Sequence, residues 1–203
     1  MKHLLKIDRP SWKALELRNS RIREGYLALD RNENQDIILR DEITSILMFK
    51  IPLHKITSYT DYYDTYQLLS KYYDQPTHNM LITGGCDEAM RLTFEALLDK
   101  DKVIGYKMPT YQGVVNNSAD LTEQHVDYLS DHPAVWYICS PNNPDGKVTT
   151  PAEVERMLIN HPKTMFFLDN TYNDFCDYNF DHLIRYTNIV IGKSFSKGWG
   201  LAG

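Results

Sequence analysis

Five short segments carry side chains suited to chemistry, and each follows an apolar run. Thr83-Gly84-Gly85-Cys86-Asp87 offers a glycine turn, and Pro109-Thr110-Tyr111 an aromatic ring. Ser140-Pro141-Asn142-Asn143-Pro144-Asp145-Gly146 offers two amides in a turn. Asp169-Asn170-Thr171-Tyr172 sets a carboxylate three positions before a phenol, and Ser194-Phe195-Ser196-Lys197 sets two hydroxyls beside an amine. An amine, a carboxylate and a phenol are the residue types of nucleophilic and proton-transfer chemistry. A glycine turn opening a helix is a natural place for an anion.

These segments can cooperate only if the fold gathers them. The runs at 78–83, 102–107, 134–140, 165–169 and 189–192 read as strands, and 121–128 is weakly strand-like. Between them, 87–98, 111–117 and 151–160 read as helices, the last with Pro151 in its first turn. Two further helices are expected at 41–50, stopped by Pro52, and at 59–73. The stripe Tyr62, Tyr66, Leu69 and Tyr73 in the second of these reads as core packing. Strands alternating with helices predict an α/β domain with a mostly parallel sheet and helices on both faces. Continuous apolar runs such as Val135 to Cys139 suit strands covered on both sides. In open α/β sheets ligands bind beyond the carboxyl ends of the strands, so all five segments should share one rim. Residues 1–40 are mixed and polar and read as an extended arm, leaving 41–203 as the domain.

Composition narrows the function classes. A net charge of −5 supplies no field to attract phosphate backbones, so nucleic acid is not an expected partner. No apolar stretch reaches the roughly 20 residues of a membrane helix. Lys2, Lys6, Asp8 and Arg9 interrupt the start of the chain, so no signal peptide is expected. Cys86, Cys139 and Cys176 are odd in number and unrelated in context, which favours reduced thiols in the cytoplasm. The histidines form no ligand-spaced cluster, so no metal site is expected.

Taken together, the five segments resemble those of the fold-type I aminotransferases of class I/II, and most those of the histidinol-phosphate aminotransferase branch. Ser140 to Gly146 is similar to that branch's S-P-N-N-P-T-G, Asp169 to Tyr172 to its D-E-A-Y, and Ser194 to Gly203 to its T-L-S-K-A-F-G-L-A-G. Thr83 to Glu88 resembles the family's G-A-D-E phosphate turn, and Asn32-Glu33-Asn34 its N-terminal N-E-N-P. The resemblance runs from about residue 28 to the last residue.

It implies pyridoxal 5′-phosphate (PLP) as cofactor, Lys197 as the Schiff-base lysine and later the base, and Asp169 as the partner of the pyridine nitrogen. Asn143 and Tyr172 would hydrogen-bond the cofactor's phenolic oxygen, and Tyr111 would stack on its ring. The amides of Gly85, Cys86 and Asp87, with the hydroxyls of Ser194 and Ser196, would hold its phosphate. Tyr59 resembles the tyrosine that reaches the phosphate of the neighbouring subunit, although Ser58 and Thr60 replace the family's flanking Arg and Pro. The implied activity is transfer of an amino group from an amino acid or phosphorylated amino alcohol to a 2-oxo acid, in a homodimer. A PLP-dependent lyase resembling threonine-phosphate decarboxylase is the alternative. A catalytically incomplete fragment is another, because the resemblance places a phosphate-binding arginine, a further strand and a small C-terminal domain beyond residue 203.

Each segment alone has a plain structural reading as turn, cap, core aromatic or solvated lysine. Their coincidence in family order is what favours chemistry. Gly198-Trp-Gly200-Leu-Ala-Gly203 matches G-x-G-x-x-G by letter but lacks the βαβ context of a dinucleotide site.

Overall fold

The computed structural model describes residues 32–202. The expected arm over 1–40 therefore lies mostly outside the described residues. Five strands form one sheet: β1 (Ile104–Tyr106), β2 (His125–Val126), β3 (Val135–Cys139), β4 (Met165–Asp169) and β5 (Ile189–Gly192). Their order is β2-β1-β3-β4-β5, and every pairing is parallel. The chain steps outward from β1 to β2 and then returns to the other side of β1. A crevice is expected at that reversal, beyond the carboxyl ends of β1 and β3.

Alternation along β3 divides the core. Val135, Tyr137 and Cys139 face one cluster with Met90, Phe94 and Val114, whereas Trp136 and Ile138 face another with Val154, Leu158, Phe180 and Leu183. Both faces are thus covered, as the continuous apolar runs required. Helix α4 (Cys86–Leu97) and the short α5 (Gly113–Ser118) cover the first face, and α6 (Pro151–Asn160) the second. The first face carries the site, because α4 begins at the glycine turn. Gly105 of β1 is paired with Trp136, and a Cβ there would meet the indole at 2.3 Å. The indole thus occupies the room that this glycine leaves.

The helix at 151–160 forms as the sequence predicts, because its start is fully specified. Thr150 Oγ1 accepts from Glu153 N, Glu153 Oε2 accepts from Thr150 N at 2.8 Å, and Pro151 takes the first helical position. Other expectations are corrected. The run at 78–83 is no strand: Thr77–Asn79 forms a 3₁₀ turn, Met80 is extended, and the Ile82 amide donates to Tyr66 Oη at 3.1 Å. A strand exists only by pairing, and no described strand lies against this run.

Helix α1 (Ile37–Phe49) begins before Asp41 because Asp36 caps it, Oδ1 accepting from Leu39 N at 2.8 Å. A short α2 (Leu53–Thr57) follows Pro52, and α3 (Tyr63–Tyr73) starts later than residue 59. None of these three helices buries a residue fully. The tyrosine stripe is therefore not core: Tyr62 is exposed and Tyr66, Leu69 and Tyr73 are half-buried. Helical periodicity reveals an apolar face but not what covers it. Among the described residues no helix is long and apolar enough to cross a membrane.

A polar contact beside the β1–β2 pair yields a pH prediction. His125 is buried, its Nε2 lies 3.1 Å from Thr122 O, and its Nδ1 lies 2.9 Å from Tyr106 Oη. A carbonyl can only accept, so Nε2 carries the proton and Nδ1 accepts from the phenol. Burial pushes this imidazole below its ordinary value of 6.5. The unfolded chain then takes up a proton that the folded one refuses. The stability contributed by neutral His125 is complete above pH 6.5 and is lost as pH falls through the lowered folded value, by at most about 1.4 kcal/mol per pH unit. Urea unfolding between pH 7 and about pH 5 should show this slope, and His125→Gln should flatten it.

Candidate active site

At the carboxyl edge, register aligns Cys139 with Asp169 and Asp169 with Gly192. The residues that leave these three strands therefore start from one line. Asp169 is 4% exposed, and its carboxylate accepts from three donors. Tyr137 Oη gives to Oδ2 at 2.7 Å, while Cys86 Sγ at 3.3 Å and the Thr171 amide at 3.1 Å give to Oδ1.

Three residues further on, Tyr172 Oη receives Asn143 Nδ2 at 3.5 Å and Asn32 Nδ2 at 2.9 Å. The β3 and β4 loops and the N-terminal segment thus meet at one phenol. Asn34 adds a second tie from that segment, donating through Nδ2 to Gly198 O at 3.1 Å, next to Lys197. Burial pushes the Tyr172 hydroxyl above its ordinary value, so it stays protonated at neutral pH.

The glycine turn opens α4 as expected. Gly85 is the N-cap at φ +84°, a conformation costly for any residue with a Cβ. The Gly84 amide is taken by Glu88 Oε2 at 2.5 Å, and the Gly85 amide by Thr83 O at 2.8 Å. The first-turn amides of α4, beginning at Cys86 and Asp87, have no acceptor within the helix and carry its positive pole. Tyr111 Oη donates to Asp87 Oδ2 at 3.0 Å, which fixes the ring beside this helix start. Burial first and Asp87 second raise that phenol well above the ordinary range.

The loop carrying Tyr111 is fastened to the loop carrying Asn143. Asn142 Oδ1 accepts from Thr110 Oγ1 at 2.9 Å, and its Nδ2 donates to Pro109 O at 2.9 Å and to Asp145 Oδ1 at 2.7 Å. Beyond β4, Asn170 Nδ2 donates to Ser140 O at 2.6 Å, which ties the ends of β3 and β4 together.

Ser194 and Ser196 lie on the segment that leaves β5, with their hydroxyls 2.9 Å apart and the Ser196 amide donating to Ser194 Oγ at 3.1 Å. Lys197 follows on the same segment and is half-buried. Ser194 also lines a cleft of about 240 Å³ whose walls include Tyr72, Tyr73, Asp174, Lys193 and Trp199. Lys193 Nζ pairs there with Asp181 Oδ1 at 2.6 Å and lies 4.6 Å from the Tyr73 ring centre.

The structure joins Asp169 to Cys86, Asp87 to Tyr111, Asn143 to Tyr172 and Ser194 to Ser196. It leaves Tyr59 fully exposed between α2 and α3, outside these contacts. Sequence reasoning missed three contributors. Asn32 stood in a noted motif without a role, Asn142 looked like a turn residue, and Tyr137 looked like one more strand aromatic. Only its position two pleats before the β3 terminus, on the face of Asp169, distinguishes Tyr137.

The donor set has the inventory of a phosphorylated pyridine aldehyde. A buried carboxylate suits a protonated ring nitrogen, and an amide with a phenol suits a ring oxygen. A helix start with two hydroxyls suits a phosphate, and an amine suits an aldehyde. Among the described residues no group of His, Cys, Asp and Glu is arranged to hold a metal ion.

Comparison with known proteins bears on the fold and on family resemblance. Residues 115–203 match the family model for aminotransferase class I and II. The histidinol-phosphate aminotransferase of Methanosphaerula palustris is 32% identical over 145 residues, covering 62% of this chain and 40% of that protein. The crystal structure of histidinol-phosphate aminotransferase from Sinorhizobium meliloti in complex with pyridoxal-5′-phosphate aligns with a TM-score of 0.73 at 18% identity, over 85% of this chain and 53% of that one. L-threonine-O-3-phosphate decarboxylase from Porphyromonas gingivalis aligns at 0.69 with 22% identity, over 84% and 57%. The two structures share the fold with this chain, which spans about half the length of these relatives. Over the region it shares with them, the chain is similar to the class I and II aminotransferases.

Proposed function

We propose that this protein is a PLP-dependent aminotransferase, moving an amino group from an amino acid or phosphorylated amino alcohol to a 2-oxo acid. The observation that carries the reading is the buried, triply bonded Asp169 carboxylate on the same rim as the α4 start and the Tyr172–Asn143 pair. When bound, PLP supplies an electron sink that stabilises negative charge at the substrate Cα. The chain's own residues do the rest. Asp169 would pair with the ring nitrogen and keep it protonated, so that the ring could accept electrons. Tyr172 and Asn143 would hydrogen-bond the ring oxygen, and Tyr111 would set the ring plane. The amides at Cys86 and Asp87, with Ser194 and Ser196, would hold the phosphate, whereas the Gly85 amide, expected to join them, is already given to Thr83 O. Lys197 Nζ would hold the cofactor aldehyde and would serve as the base at the substrate Cα.

The similarity in fold to a threonine-phosphate decarboxylase favours one second reading, a lyase on the same rim. The two readings differ in which Cα bond is broken, and so in product: a 2-oxo acid for the transferase, carbon dioxide for the lyase.

We also read the active form as a homodimer. Ile38, Met48, Phe49 and Leu53 are each at least 70% exposed on α1 and α2, close in sequence to the exposed Tyr59. Apolar surface of this kind on consecutive helices marks an interaction face. A second copy would cover it and present Tyr59 to the partner's phosphate site. All three cysteines are free, two of them buried, which fits a reducing compartment such as the cytoplasm.

Two experiments test these readings on the full protein. PLP should give an absorption band at the visible edge that Lys197→Ala removes, with turnover falling by about 10²–10⁴-fold. A band that survives Lys197→Ala would assign the linkage to another lysine. For the dimer, sedimentation velocity should show two copies for the native protein and a shift toward monomer for Phe49→Asp with Leu53→Asp.

A further inference from the structure

The Asp169 carboxylate is held by side chains that the roles above leave unused. Tyr137 lies on β3 directly across from Phe167 of β4, and their rings stack 8° from parallel with centres 6.2 Å apart. Two residues beyond Phe167, on the same face, comes Asp169. The stacking therefore aims the phenol along the strand at Oδ2, which it reaches at 2.7 Å. Phe94 packs edge-on against the far side of this arrangement, its centre 6.0 Å from that of Phe167. Tyr137 is 2% exposed, so its hydroxyl has no water to exchange for this bond.

The second oxygen is held from α4. Cys86 is the first residue of that helix, and its thiol reaches Oδ1 at 3.3 Å beside the Thr171 amide at 3.1 Å. Room for the sulfur comes from β5: a Cβ on Gly192 would lie 2.6 Å from Cys86 Sγ and 2.8 Å from Phe167. Toward a carboxylate both side chains can only donate. Burial first, and Asp169 second, push the Tyr137 phenol and the Cys86 thiol far above their ordinary values. Neither is then a nucleophile or a proton source for the reaction.

A carboxylate offers about four acceptor positions, two per oxygen. Oδ1 has both filled, by the thiol and the Thr171 amide, and Oδ2 has one filled, by the phenol. We propose that Tyr137 and the Cys86 thiol are positioning residues that lock the Asp169 carboxylate so that a single acceptor position, on Oδ2, is left for a protonated ring nitrogen. This rests on the PLP reading of the rim and adds to it. The group that pairs with the ring is aimed from beneath by a phenol on β3 and a thiol on α4. A carboxylate free to rotate would lose part of the directional bond that makes a charge-assisted pair strong.

The test compares two ligands with the full protein: PLP, and its carbocyclic analogue in which C–H replaces the ring nitrogen. Only PLP can pair with Asp169. Equilibrium binding, read by quenching of intrinsic fluorescence, should show native protein preferring PLP. Tyr137→Phe keeps the ring stack and removes one hydroxyl. It should weaken PLP binding about tenfold, the size of one charge-assisted hydrogen bond, and leave the analogue unchanged. Cys86→Ala should act in the same selective way, about threefold, because a thiol is a weak donor. It also serves if Tyr137→Phe does not fold. Equal loss for both ligands would mean that these side chains only support the core, and that result overturns the proposal, as does no loss for either. If native protein holds the two ligands equally, Asp169 does not pair with the ring nitrogen, and the cofactor reading falls together with this one.

Discussion

Parallel pairing sends the carboxyl ends of neighbouring strands to one edge, and here the register places Cys139, Asp169 and Gly192 side by side on that edge. Ladder bonds continue one step past the strands, from the Ser140 amide to Asp169 O and from the Asn170 amide to Gly192 O. The three chains therefore diverge into loops from a common line. A slip of one residue in β4 would turn Asp169 from the α4 face to the α6 face. Phe166 and Leu168, now packed with α6, would turn toward α4, so the core and the site resist that slip together.

Burying a carboxylate at this edge is costly unless donors compensate it. The donors come from three elements: β3 through Tyr137, α4 through Cys86, and the β4 loop through Thr171. A hydrogen bond to a charged group contributes about 1.5–3 kcal/mol, so three of them are of the right order to offset the desolvation of one ion. The same bonds join the sheet to the start of α4. The helix start that could take an anion and the carboxylate that could take a cation are therefore held at a fixed separation by Cys86. Gly192 makes this possible by being no larger than it is.

The sheet was legible because its strands are short apolar runs buried on both sides, bounded by the turns that carry chemistry. Helix 151–160 was legible to the residue because Thr150, Pro151 and Glu153 specify its start through local contacts alone. The misreadings have a different origin. Residues 78–83 have the composition of a strand, but pairing depends on a neighbour that composition does not encode. The tyrosine stripe of α3 shows an apolar face, yet Tyr66 serves as an acceptor for Ile82 and Tyr73 as a platform for Lys193. At the site, motif residues could be found because chemistry limits their type. Tyr137 and Asn142 could not, since an aromatic in a strand and an amide in a turn are common, and only their partners make them uncommon.

The rim is assembled across long stretches of chain. Asn32 and Tyr172 are 140 residues apart, and Asn34 and Gly198 are 164 apart. Closing such loops costs chain entropy that a single exposed hydrogen bond does not recover. Asn32 is exposed, and its bond to Tyr172 competes with water. The N-terminal segment is therefore held less firmly than the sheet-borne part of the site, where Asp169, Tyr137 and Cys86 are all buried. A ligand that engages the Tyr172 hydroxyl would act on both parts at once. Binding at the phenol and the seating of Asn32 are then linked, because both engage the same hydroxyl.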